Sequence, residues 1–179
     1  MRVEIRIAGF GGQGVVLGGT ILGKALALYD DHEAVLTQVY GPEARGGASS
    51  SSLVISDELI DYPFVQHPDV LILLSQEAYS RFRPEAGEGA SILIDEGLVT
   101  PWDDDHPYCI PATRLAEEMG QRRVANVIML GFFTALTGLV SHEAMEKAIE
   151  TTVKAKTVPV NLQAFAVGYG YAVEMEHAG

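Results

Sequence analysis

The chain has one cysteine, Cys109, in 179 residues. That excludes an intrachain disulfide and leaves too few thiolates for an iron–sulfur cluster or a structural zinc. Positive charge is also scarce: 12 Lys and Arg stand against 24 Asp and Glu, a formal net charge of -12. Neither a nucleic acid nor an anionic membrane surface is therefore expected as a partner. Any anionic ligand must be held locally, by backbone donors and a few arginines. Long apolar runs are missing as well. The longest uncharged stretch, residues 124–140, contains Asn126, Thr134 and Thr137 and is shorter than the roughly 20 residues that span a bilayer, so it predicts a buried helix. The opening Met1-Arg2-Val3-Glu4 lacks the apolar stretch and small-residue cleavage site of a signal peptide, and the chain reads as cytoplasmic.

Several catalytic signatures are absent. Gly14 runs directly into Val15 and Val16, so no phosphate-loop lysine follows the glycines. The serines at 49–52 form no Gly-x-Ser-x-Gly elbow, which makes a hydrolase a poor fit. His32, His67, His106, His142 and His177 are scattered, with no histidine or carboxylate at metal-ligand spacing. Cys109, between Tyr108 and Ile110 in an expected buried strand, reads as an inert thiol. Nothing here looks able to run a redox reaction alone.

What is present is glycine in a telling place. Residues 9–14 read Gly-Phe-Gly-Gly-Gln-Gly, after a strand-like run at 3–8 and before a helix-like run at 15–28. Glycines let the backbone turn tightly and approach an anion closely, while unpaired N–H groups at the helix start point at its charge. The spacing of Gly9, Gly11 and Gly14 fits the dinucleotide fingerprint, which also expects an acidic residue at the end of the second strand. Here that strand, expected over 34–40, ends in Val39 and Tyr40. A second loop, Tyr40-Gly41-Pro42-Glu43-Ala44-Arg45-Gly46-Gly47, follows at the same end of the sheet. There Arg45 can offer its fork to a phosphate or carboxylate beside the backbone of Gly11, Gly12, Gln13 and Gly14; the plainer reading is a turn with a structural Arg–Glu pair.

Periodicity predicts further strands at 51–56, 70–74 and 91–95 and a helix at 76–82, an alternation that implies α/β with a mainly parallel sheet. After an acidic, solvated segment at 102–106, helices are expected near 112–120, 124–139, 142–153 and 160–174. Ser141 suits an N-cap and Pro159 a first helical turn. The expectation is one Rossmann-like domain over 1–179 with a helical C-terminal third. Gly14, Gly18, Gly19 and Gly23 in the first helix would each cost roughly 1 kcal/mol relative to alanine in a helix interior. Something must lie close to them, either the sheet or a partner subunit or ligand. The last helix spreads apolar side chains, from Leu162 to Val173, around more than one side, which fits an interface.

Together the two glycine segments, residues 55–63 with Pro68-Asp69-Val70, and the helix with Asn126 and Leu130-Gly131 resemble the gamma subunit of the 2-oxoacid:ferredoxin oxidoreductases over nearly the whole chain. The Glu-Ala-Arg-Gly-Gly-Ala-Ser version at 43–49 looks closest to the 2-oxoglutarate branch, with pyruvate, ketoisovalerate or an aryl pyruvate as alternatives. The resemblance implies oxidative decarboxylation of a 2-oxoacid with coenzyme A to an acyl-CoA, with electrons leaving through iron–sulfur clusters to ferredoxin. It places thiamine diphosphate, magnesium and the clusters on alpha and beta subunits and a delta ferredoxin-like subunit, and leaves the gamma chain a non-catalytic role in coenzyme A handling and assembly. Carried onto this chain, the implied contacts are Gly11, Gly12, Gln13 and Gly14, with Arg45 and Gly46 nearby and Asn126 either a further contact or a core residue at a helix start. A stand-alone NAD- or flavin-binding Rossmann protein and a purely structural subunit are the other readings.

Overall fold

A computed structural model describes residues 1–41 and 47–179. The first half builds a sheet in the order β2-β3-β1-β4-β5-β6. Its strands are β1 (Arg2–Phe10), β2 (Glu33–Val39), β3 (Ala48–Ser56), β4 (Val70–Leu73), β5 (Ser91–Asp95) and β6 (Tyr108–Ile110). β1, β4, β5 and β6 run parallel, and β3 is antiparallel to both neighbours. The sheet is thus mainly parallel, as expected, with one reversed strand. That reversal makes β2 and β3 antiparallel neighbours, which need no crossover helix between them.

Two helices wind onto opposite faces. α1 (Val15–Lys24) follows β1 and packs with Ile5, Ile7, Leu53 and Ile55, whereas α2 (Gln76–Phe82) follows β4 and packs through Ala78, Tyr79 and Phe82 on Leu71, Leu73, Ile92 and Ile94. From β1 the chain moves toward β2 and β3; from β4 it moves the other way. The switch point is between β1 and β4, and in open α/β sheets ligands bind at that point, beyond the carboxyl ends of the strands.

The glycines of α1 meet the sheet. A methyl group on Gly19 would land on the Ser51 side chain, and that serine donates its hydroxyl to the Val15 carbonyl at 2.8 Å. Gln38 on β2 adds a bond to the Val16 carbonyl at 2.9 Å. The strand starts at Ala48, three residues before the expected start, because its small, hydroxyl-bearing serines suit a buried strand that must bond to a helix end. The helix expected over 15–28 is α-helical to Lys24 and then continues as a π turn, Ala25–Tyr29, where the Asp30 N–H reaches the Ala25 carbonyl at 3.0 Å.

The C-terminal third is helical: α3 (Ala112–Glu118), α4 (Ala125–Thr137), α5 (His142–Thr152) and α6 (Val158–Ala178). Ser141 caps α5 by accepting the Ala144 N–H at 3.1 Å. α4 is apolar on nearly all sides because it lies between the sheet and α6. At the α4–α6 crossing the two backbones touch through Gly131 and Gly168: an added Cβ on Gly168 would sit 2.7 Å from the Ile128 carbonyl carbon and 3.0 Å from the Phe132 nitrogen. Among the described residues no helix is long and apolar enough to cross a membrane.

The segment at 102–106 is not simply a solvated acidic loop. The Asp105 carboxylate accepts two bonds from Arg83, at 2.7 and 2.6 Å, and one from the Tyr79 hydroxyl. Arg83 in particular holds Asp105 below the ordinary carboxylate range, against the opposing effect of burial.

Candidate functional site

The glycine loop lies at the carboxyl end of β1 in a strained but well-tied form. Gly12 and Gly14 have φ of 88° and 74°, a left-handed conformation that residues with a Cβ adopt at a cost of roughly 1–2 kcal/mol. Gln13 clamps the loop. Its Oε1 accepts the Phe10 N–H at 2.6 Å, and its Nε2 donates to the Leu74 carbonyl at 2.8 Å, joining the ends of β1 and β4. Gly9 leaves room for that amide, since a Cβ there would meet Gln13 Oε1 and approach Leu74. The Gln13 N–H is also used internally, bonding the Phe10 carbonyl at 3.2 Å. Gln13 therefore shapes the loop with both its backbone and its side chain. Among the described residues, the N–H groups of Gly11, Gly12 and Gly14 have no such partner.

Asn126, in the first turn of α4 and 4% exposed, ties that helix to the loop. Its Nδ2 donates to the Gly14 carbonyl at 3.0 Å, and its side chain fills the space where a Gly14 Cβ would stand. Its Oδ1 is buried and has no partner among the described residues. This close approach of a second helix explains Gly14, and that of Ser51 explains Gly19, whereas a Cβ on Gly18 or Gly23 would make only ordinary contacts at 3.6 Å or more.

Between the loop and α4 opens a crevice of about 360 Å³. Gly12 and Gln13 line it from β1, Leu74 from β4 and Asp95 from β5; Thr113, Arg122, Arg123 and Asn126 close the far side. The starts of α1, α3 and α4 thus converge at the β1–β4 switch point. Exposed helix-start N–H groups favour negative charge. Arg122 and Arg123, in the short turn leading into α4, add two guanidinium groups on an otherwise acidic molecule. Arg122 has only an exposed contact to Glu117 at 3.7 Å, an arrangement worth little. Asp95 is 1% exposed and fully engaged: Oδ2 accepts the Thr113 N–H at 2.9 Å and its hydroxyl at 2.6 Å, and Oδ1 accepts the Gly97 N–H at 3.2 Å. It anchors the start of α3.

The structure thus brings Gly12, Gln13, Gly14 and Asn126 together, with Gly11 at the loop's exposed tip. Arg45 and Gly46 lie outside the described residues. Gly47, at the end of their loop, lies beside the Phe10 ring, on the β3 side of β1, whereas the crevice opens on the β4 side. Arg122 and Arg123 are not among the contacts expected from the sequence; their position immediately before the Asn126 helix is the signal that could have found them. Asp95 and Thr113 gave none, because their bond crosses from β5 to α3.

No group of three or more His, Cys, Asp or Glu side chains converges among the described residues. The half-buried Cys109 thiol is pushed up by burial and by Glu96, which disfavours the thiolate that ligation requires.

A doubly wound α/β domain with a glycine loop at its switch point is the class that fold and crevice define. Residues 4–171 match the family model described as pyruvate ferredoxin/flavodoxin oxidoreductase, and the chain belongs to that family, as a gamma-type, non-catalytic component of a 2-oxoacid:ferredoxin oxidoreductase. It is 54% identical over 180 residues to the 2-oxoglutarate synthase subunit KorC of Methanocaldococcus jannaschii, covering 98% of this chain and 96% of that protein. The keto/oxoacid ferredoxin oxidoreductase gamma subunit from Geobacter sulfurreducens superposes with a TM-score of 0.84 at 39% identity, covering 96% of this chain and 99% of that one. The 2-oxoglutarate:ferredoxin oxidoreductase from Magnetococcus marinus, solved with 2-oxoglutarate, coenzyme A and succinyl-CoA, superposes with a TM-score of 0.83 at 23% identity. There the shared fold is 97% of this chain but 31% of the other, and the likeness speaks for the fold alone.

Proposed function

We propose that this chain supplies part of the coenzyme A site of a cytoplasmic 2-oxoglutarate:ferredoxin oxidoreductase. It would hold the phosphates of coenzyme A in the crevice between the glycine loop and the start of α4. The overall reaction converts a 2-oxoacid and coenzyme A to an acyl-CoA and carbon dioxide while reducing ferredoxin. Thiamine diphosphate with magnesium and the iron–sulfur clusters belong on alpha and beta subunits and a delta ferredoxin-like subunit, consistent with the donor set of this chain. The observation that carries the reading is the convergence of Gly12, Gln13, Asn126, Arg122 and Arg123 on one crevice. A polyanion is what such donors and cations hold best. The 2-oxoglutarate assignment rests on similarity to KorC.

A stand-alone dinucleotide enzyme fits less well. The ribose-binding acid of that class stands at the end of the strand beside β1, but here the neighbour on that side is antiparallel β3, which begins at Ala48 near the loop. β2 ends one strand further out, in Val39. Stoichiometric flavin, or tight NAD binding by the purified chain, would overturn the proposal.

The direct test replaces Arg123, and separately Arg45, with alanine in the assembled enzyme. A charged hydrogen bond is worth roughly 1.5–3 kcal/mol, so losing a phosphate contact should raise the KM for coenzyme A about tenfold or more and leave the KM for the 2-oxoacid unchanged. An unchanged coenzyme A KM in both variants would remove these residues from the site.

A further inference from the structure

On the sheet face that carries α2, that helix reaches Ala48 of β3, and among the described residues no helix covers β2. Thr37, Val39, Ser50 and Ser52 floor a trough of about 430 Å³ there, walled by the segment after β3 at Phe64 and by Arg81 and Glu85. The segment is firmly placed. Glu4 accepts the Gln66 and His67 N–H groups at 2.7 and 2.9 Å, and Arg2 donates to the Tyr62 carbonyl at 2.8 Å.

Two features make the trough a recognition surface. Its charge is one: Arg6 and Arg81 share the single carboxylate of Glu85, and both guanidinium groups lie over the Phe82 ring, 4.8 and 5.1 Å from its centroid. Among the described residues, two cations and one anion leave a net positive charge there, on a molecule of formal charge -12. The rim is the other: Val39 and Phe64 are 41% and 54% exposed, and Tyr62 stacks edge-on against Phe64 at 5.6 Å. Exposed aromatic side chains gathered beside arginine are the composition of interface centres.

Resting on the reading that this chain works inside a larger oxidoreductase, we propose that the trough docks a segment of a partner subunit. That segment brings an acidic side chain to Arg81 and an apolar one onto Val39 and Phe64. Charge selects a different protein over a second copy, because two-fold self-docking would set one positive trough against another, and like charges disfavour that pairing. In the Magnetococcus marinus enzyme the same fold is 31% of a longer chain, so there its neighbours include parts of the same polypeptide.

The test is reconstitution of the complex from this chain and the other subunits, followed by size exclusion. Three single variants, Arg81→Glu, Val39→Asp and Phe64→Asp, alter exposed side chains and should leave the isolated chain folded, Arg81→Glu losing only the small contribution of its exposed pair with Glu85. Each is expected to weaken incorporation at least tenfold, and Arg81→Glu should also remove the salt dependence of assembly. Normal incorporation of all three overturns the inference while leaving the coenzyme A proposal intact. Loss of self-association by the isolated chain, with complex formation unaffected, assigns the face to a second copy and equally overturns it. Failure of the unaltered chain to join any thiamine-diphosphate subunit overturns the underlying function as well.

Discussion

Replacing Asn126 with alanine separates a ligand-site role from a packing role, because its two polar atoms pull stability in opposite directions. Nδ2 bonds the Gly14 carbonyl at 3.0 Å, and a neutral hydrogen bond contributes roughly 0.5–1.5 kcal/mol net. The Gly14 carbonyl also accepts the Gly18 N–H at 2.8 Å, so it is not orphaned by the change. Oδ1 is buried without a partner among the described residues, and such an acceptor costs about 1–3 kcal/mol. Deleting both groups should leave the unfolding free energy within about 1 kcal/mol of the original, measured by urea denaturation of the isolated chain. The glycine loop, however, loses its tie to α4 and to the Arg122–Arg123 turn. The assembled enzyme should then show a coenzyme A KM raised about five- to tenfold with the 2-oxoacid KM unchanged. The Asp variant should be worse on both counts, since a carboxylate would face the Gly14 carbonyl and any phosphate in the crevice. A loss of several kcal/mol in folding with normal coenzyme A kinetics would refute the reasoning and leave Asn126 a structural clamp.

Gly168→Ala forces a methyl group onto the Ile128 carbonyl of α4. The intrinsic helix gain of about 1 kcal/mol should be outweighed by separation of the helices, for a net loss of about 1–3 kcal/mol in chemical denaturation; a stabilised variant would show that α4 and α6 do not cross this closely. Asp105 titrates below the ordinary carboxylate range in the folded chain because of Arg83 and the Tyr79 hydroxyl. Its contribution is therefore present above the unfolded value, about 3.9, and lost as pH falls through the folded one. The melting-temperature gap between the unaltered chain and Asp105→Asn should accordingly be wide at neutral pH and close below about pH 4; a gap constant to pH 3 would sink this.

What was legible in the sequence was local. The strand at 91–95 and the helix at 76–82 fall where periodicity put them, because each side chain's burial there follows from its own element. Ser141 was readable as a cap since its bond spans three residues. The reversal of β3 was not readable, because antiparallel pairing depends on which neighbour a strand meets; the strand's first three residues were missed because the bonds that suit its serines to the sheet run to distant partners, Val15 and Arg6. The crevice was half legible. Its glycine loop is contiguous, but Asn126 reaches Gly14 across 112 residues, and only the helix packing that Gly131 and Gly168 permit brings that turn to the loop.

Scarce positive charge makes the placement of each cation informative. Arg83 secures Asp105, Arg2 secures the segment over β1, and Lys24 reaches the Thr151 carbonyl at 3.1 Å. Arg6 and Arg81 are tied to Glu85 beside the trough over β2 and β3. Arg122 and Arg123 differ from all of these: their guanidinium groups have no hydrogen bond among the described residues and line the crevice beside the starts of α3 and α4. In a chain of charge -12, two adjacent arginines held near helix-start N–H groups raise the local positive potential and add nothing to the fold that an exposed neutral residue would not. That cost is offset only when an anion arrives, so a double Arg122→Ala, Arg123→Ala variant should fold as well as the original and lose its hold on coenzyme A.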